Sequence, residues 1–279
     1  MTIIGAGDIA GATAQALACC DDVRRILLID TVQNAATGKA LDIQQSGAVT
    51  ARHARLEGTD DISRATGSAA CIIADPFGQT ESGWRGDEGL AMVSRVSAYM
   101  GQAPLVLAGA HQAELLARAA QELRIPRERL IGSSPQALVS SLTAIVAMEA
   151  DCSPQDVRLA VLGAPPAGFV VPWNDASIGG CALDRILSQV QLARIEARAA
   201  HLWPPGPYAL AAAAAQVTAA LLCSSRRWWS VLTQLAGEFG VTGVVGTLPA
   251  QLSPRGIERT RAPELDVRAQ VQLHSALSR

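Results

Sequence analysis

A chain of 279 residues, 49% of them hydrophobic, can bury a core large enough for one large or two medium domains. The net charge is −2, and the basic residues, all arginine except Lys39, are scattered; this leaves no electrostatic footprint for nucleic acid or an anionic membrane. The longest apolar stretch, Tyr208–Cys223, is too short and alanine-rich to span a membrane. The N-terminus shows no basic region or cleavage site, so a cytoplasmic protein is expected.

Taken in chain order, short apolar runs alternate with helical stretches. Strands are predicted at Met1–Ile4, Arg25–Asp30, Ala69–Ala74, Pro104–Ala108 and Arg129–Gly132. Helices are predicted within Gly5–Cys20 and at Ala36–Ser46, Asp87–Met100 and Gln112–Leu123. Fully apolar strands separated by helices imply a parallel sheet covered on both faces. Beyond a boundary placed near residue 132 the pattern changes. Helices are expected at Pro135–Ala150, Leu183–Leu202 and Pro263–Leu277, with an alanine-rich one after the stiff turn Pro204-Pro205-Gly206-Pro207. Strands are expected at Asp156–Leu162, Val170–Trp173, Ser230–Leu235 and Gly243–Leu252. Cys19, Cys20, Cys71, Cys152, Cys181 and Cys223 form no CxxC pair and read as buried free thiols rather than metal ligands. The Trp228-Trp229 pair reads as core.

Gly5-Ala6-Gly7-Asp8-Ile9-Ala10 follows a strand and opens a helix, which is the GxGxxA form of the dinucleotide fingerprint. Gly5 permits the tight turn. Gly7, without a Cβ, lets a pyrophosphate approach the free N–H groups at the helix start, among them those of Asp8 and Ile9. A plain βα turn would show the same pattern. Asp30, however, ends the second strand, where an acceptor for ribose hydroxyls belongs and where a carboxylate repels a 2′-phosphate. The expected cofactor is NAD, bound by Gly5, Gly7, Asp8, Ile9 and Asp30, with the Asp8 charge working against the pyrophosphate.

The stretch from Gly5 through Gly38-Lys39-Ala40-Leu41-Asp42-Ile43 resembles the lactate/malate dehydrogenase family. So do Gly58-Thr59-Asp60-Asp61, Ile125-Pro126-Arg127-Glu128-Arg129-Leu130-Ile131-Gly132, Gly237-Glu238-Phe239-Gly240 and Pro254-Arg255-Gly256-Ile257-Glu258. The resemblance implies an α/β protein with a Rossmann-like parallel sheet over residues 1–132, followed by an α+β C-terminal domain of that family over 133–279. It further implies a dimer or tetramer and a small 2-oxo or 2-hydroxy acid as substrate.

The family's chemistry needs an imidazole acid, a carboxylate that orients it, an arginine clamp, a loop arginine and an asparagine. Carried over position by position, these become Pro165, Leu138, Ser141, Thr80 or Gly86, and Ala110. No catalytic residue is therefore assigned. A buried carboxylate without its cationic partner is a liability, so Leu138 and Pro165 read as a paired loss. The expectation is a dehydrogenase-like protein with impaired or lost activity, a pseudoenzyme that retains NAD. Two alternatives are an active oxidoreductase with a relocated acid, for which His111 and Arg85 are candidates, and a non-catalytic assembly partner. His53, His201 and His274 read as surface residues.

Overall fold

The computed structural model describes residues 1–32, 34–79 and 83–278. Six strands of the first half, β1 (Thr2–Ile4), β2 (Arg25–Ile29), β3 (Arg55–Thr59), β4 (Cys71–Ile73), β5 (Leu105–Leu107) and β6 (Leu130–Gly132), are parallel and lie in the order β3-β2-β1-β4-β5-β6. The order reverses at β1, so a crevice opens beyond the carboxyl ends of β1 and β4. Every residue of β1, β4, β5 and β6 is buried, as short apolar strands covered on both faces require.

Side chains alternate between two apolar layers. Ile3, Leu28, Ile72, Val106 and Ile131 face one, with α1 (Asp8–Ala18) and α2 (Ala35–Thr50) packed on it. Ile4, Ile29, Ile73, Leu105 and Leu130 face the other, under α3 (Gly86–Met100) and α4 (Ala113–Glu122).

The second half comprises α5 (Ser134–Ala150), β7 (Val157–Arg158), β8 (Leu162–Ala164), β9 (Gly168–Val170), β10 (Ser177–Ile178), β11 (Cys181–Ala182), α6 (Gln189–Ala199), α7 (Pro207–Leu222), β12 (Trp229–Ala236), β13 (Thr242–Ser253), β14 (Gly256–Thr260) and α8 (Val267–Leu277). Strand β12 pairs antiparallel with β6 at Leu232 and Gly132, and the large sheet continues through β13 and β8 to β9, with β14 on β13. Strands β11, β10 and β7 form a separate small sheet. Helix α7 lies on α1, its Ala211, Ala213, Ala214 and Ala215 buried in the layer that holds Ile9, Ala10 and Ala14. Small side chains let the two backbones approach.

Four expectations are corrected. The run Asp156–Leu162 is not one strand: Val157 pairs with Ile178 in the small sheet, whereas Gly163 of β8 pairs with Thr247 in the large one. The helix expected over Leu183–Leu202 is broken at Ser188, whose side chain caps α6 in a reciprocal capping box with Gln191. Of the six cysteines, all unpaired, only Cys71 is buried; burial pushes its thiol up to about 12. Trp228 is 43% exposed rather than core, and Trp229 is half-buried with the Arg227 guanidinium 5.3 Å from its ring centroid.

Candidate functional site

The glycine loop sits at the topological switch between β1 and β4. Gly5 has φ +111°, and a Cβ there would overlap the carbonyl of Asp75, the second residue after β4. A Cβ on Gly7 would overlap the Asp75 carboxyl group itself. The close approach that the two glycines permit is thus made by another part of the same chain.

Asp75 is 5% exposed. Its Oδ2 accepts from the Ile9 N–H at 3.1 Å and its Oδ1 from the Ala10 N–H at 2.8 Å, while its carbonyl accepts from the Gly7 N–H at 3.0 Å. Ile9 and Ala10 supply two of the N–H groups that the first turn of a helix leaves unpaired. Gly7, the residue at the cap position, has no side chain to satisfy them, so the carboxylate arrives from β4 instead.

Asp30 follows β2 and is 4% exposed. Its Oδ2 accepts from the Ala6 N–H at 2.8 Å and the Phe77 N–H at 2.9 Å, and its Oδ1 from the Val32 N–H at 2.9 Å. The residues singled out by the sequence therefore converge: Gly5, Gly7, Ile9 and Asp30 surround one loop, with Asp8 exposed beside them. Sequence reasoning missed Asp75. The one signal for it was a charged residue placed directly after the apolar run Cys71-Ile72-Ile73-Ala74.

A cavity of about 820 Å³ opens alongside the loop, lined among others by Asp8, Lys39, Asp75, Arg85, His111 and Pro205. Lys39 reaches it by lying across Gly11 of α1, where a Cβ would meet its Cδ at 2.8 Å. His111 is exposed, its ring edge-on to Trp203 with centroids 6.2 Å apart. His53, His201 and His274 are exposed.

The positions to which the resemblance assigns the chemistry carry no acid, base or anion clamp. Pro165 is buried in the turn between β8 and β9. Leu138 is fully buried on α5, in a cluster with Leu142, Val161 and Val171. Ser141 turns its hydroxyl back to the Ala137 carbonyl at 3.1 Å. Ala110 is 2% exposed. Gly86 starts α3, and Asp87 is held by Arg118 at 2.8 Å; Thr80 lies outside the described residues. Among the described residues no group of three or more His, Cys, Asp or Glu side chains could hold a metal ion.

Three of the other motif segments meet elsewhere, in a structural junction. Arg127 donates to both carboxylate oxygens of Glu238, at 3.2 and 3.0 Å. Glu238 also accepts from the Ala236 N–H at 2.6 Å and the Thr260 hydroxyl at 3.0 Å. Burial raises the Glu238 pKa, but these partners outweigh it and hold the carboxyl at about 2. Gly256, at φ +111°, lies so close to the Glu128 carbonyl that a Cβ would overlap it.

No family model matches the chain. Among curated relatives, a malate dehydrogenase of Thioalkalivibrio sulfidiphilus is 29% identical over 274 residues, covering 92% of this chain and 89% of that protein. A malate dehydrogenase of Cytophaga hutchinsonii is 25% identical, covering 93% and 88%. Among solved structures, malate dehydrogenase from Salinibacter ruber superposes with a TM-score of 0.88 at 22% identity, covering 99% of this chain and 93% of that one. Malate dehydrogenase from Aeropyrum pernix gives 0.87 at 21% identity, covering 99% and 95%. Sequence and fold both align the chain with the lactate/malate dehydrogenase family.

Proposed function

On the premise of that kinship, we propose that this chain is an oxidoreductase-type protein that takes NAD(H) at the Gly5–Ile9 loop and Asp30, and in which reduction of 2-oxo acids is impaired or lost. The observation that carries the reading is the replacement of the reacting groups: Pro165, Leu138, Ser141 and Ala110 stand where a proton donor, its orienting carboxylate, an anion clamp and a positioning amide are needed. Proline neither holds nor releases a proton, and a serine hydroxyl cannot grip a carboxylate bidentately as a guanidinium does.

The loop and the cavity of about 820 Å³ beside it offer a dinucleotide a place, with Asp30 behind the loop, buried and bound by three backbone amides. When bound, NAD(H) would supply a hydride. The residues of this chain would contribute N–H donors at α1 and an acceptor at Asp30. The amides of Ile9 and Ala10 already carry a carboxylate, so the fit is conditional on Asp75 giving way. A homodimer or homotetramer of the cytoplasm accords with this reading. No helix among the described residues is long and apolar enough to cross a membrane.

The test is consumption of NADH by concentrated protein with oxaloacetate or pyruvate. Loss of a general acid alone lowers a rate by about 10²–10⁴, so turnover at background level is expected. Consumption at an ordinary dehydrogenase rate would sink the proposal. A second reading, an active enzyme with a relocated acid, is favoured by His111 and Arg85 lining the same cavity. It requires turnover of some carbonyl compound that His111→Ala abolishes.

A further inference from the structure

We infer that the Asp75 carboxylate is an internal stand-in for the pyrophosphate of a dinucleotide, so that NAD(H) and Asp75 compete for the same amides at the start of α1. This inference deepens the nucleotide reading above and rests on it.

The geometry is that of a built anion site with its anion supplied by the chain. Two carboxylate oxygens take two successive N–H groups at 3.1 and 2.8 Å, the separations a phosphate oxygen would need. The contact is buried, and both glycines of the loop are fitted to Asp75: neither Gly5 nor Gly7 could carry a Cβ without striking it. A pyrophosphate oxygen cannot occupy the same N–H groups at the same time, and like charges at such range repel. The segment that carries Asp75 is also tied down on the ribose side, because the Phe77 N–H is bound to Asp30. Withdrawing Asp75 therefore strains a second contact at the very acceptor that ribose hydroxyls would use. Asp8 adds a third carboxylate beside the loop and lines the same cavity as Lys39. The arrangement is an autoinhibitory contact within the chain: it stabilises the fold and lowers nucleotide affinity.

The test compares the full-length wild type with Asp75→Ala, using NADH fluorescence titration and, independently, the thermal midpoint in the presence and absence of inorganic pyrophosphate. The alanine variant leaves two buried amides without an acceptor and should melt a few degrees lower. Added pyrophosphate should restore the variant's midpoint and leave the wild type unmoved. NADH should bind the variant at least tenfold more tightly than the wild type. If pyrophosphate restores the variant but NADH does not bind it, the stand-in role holds and the dinucleotide reading fails. If the wild type binds NADH as tightly as the variant, or if the folded variant responds to neither ligand, the stand-in role is overturned. Should Asp75→Ala not fold, Asp75→Asn keeps the volume, removes the charge and is read by the same comparisons.

Discussion

The glycine loop, beside one cavity, and the β8–β9 turn, whose Pro165 lines another, have fared differently. Around the loop each backbone demand is still met: Gly5 at φ +111°, Gly7 in contact with Asp75, Asp30 with three amide donors. At the turn the fold is kept but the side chains carry no titratable group, with Pro165 in the turn and Leu138 buried on α5. The difference teaches how a fingerprint can be held in place by packing as well as by a ligand. The loop glycines serve the chain's own packing, so folding alone retains them. An imidazole or guanidinium aimed at a substrate has no such second employment.

The contrast can be broken most severely by putting charge back into the silent region. Leu138→Asp would bury a carboxylate in the apolar cluster of Leu142, Val161 and Val171, at a cost of about 3–5 kcal/mol. Burial would raise that carboxyl's pKa in the folded state, so the loss should deepen as pH rises above its unfolded range; urea unfolding across pH measures it. Next in size is Gly7→Ala. Its φ of −73° suits alanine, so the penalty of about 1–3 kcal/mol is expected from the collision with Asp75. In an Asp75→Ala background the penalty should largely vanish, a coupling that a double-mutant cycle reads directly. An undiminished penalty would mean that the glycine is kept for something other than Asp75.

A smaller effect sharpens the contrast by showing charge retained for architecture. Glu238→Gln should cost about 1–2 kcal/mol by weakening the bonds from Arg127, Thr260 and the Ala236 amide. The folded Glu238 carboxyl sits at about 2, below its ordinary 4.5. Its contribution is therefore complete above the ordinary value and disappears as pH falls through about 2. Unfolding curves of wild type and variant should converge on acidification and separate toward neutrality. The smallest effect is expected from His111→Ala, within about 0.5 kcal/mol, because the ring is exposed and sits edge-on to Trp203.

Five of the six parallel strands were legible because doubly covered strands are written as unbroken apolar runs. The sixth, β3, reads Arg55-Leu56-Glu57-Gly58-Thr59; it lies at the sheet edge, where a polar face costs nothing, and gives no such signal. β14, with Glu258 and Arg259, escaped for the same reason. At the site, Gly5, Gly7 and Asp30 were legible because local turn chemistry dictates them. Asp75 was not: its meaning depends on β1 and β4 lying side by side, which no local pattern records. The junction of Arg127, Glu238 and Gly256 joins three segments that looked like separate family marks and are one piece of packing.

The pairing of Leu232 with Gly132, and the alanines of α7 laid over α1, also bear on how the molecule could be divided. A fragment ending at β6 would leave that strand as a raw border and strip α1 of its lid, so it should clump rather than persist as a lone nucleotide module. The first half thus depends on the bulk of the second for its fold, whatever chemistry that second half carries.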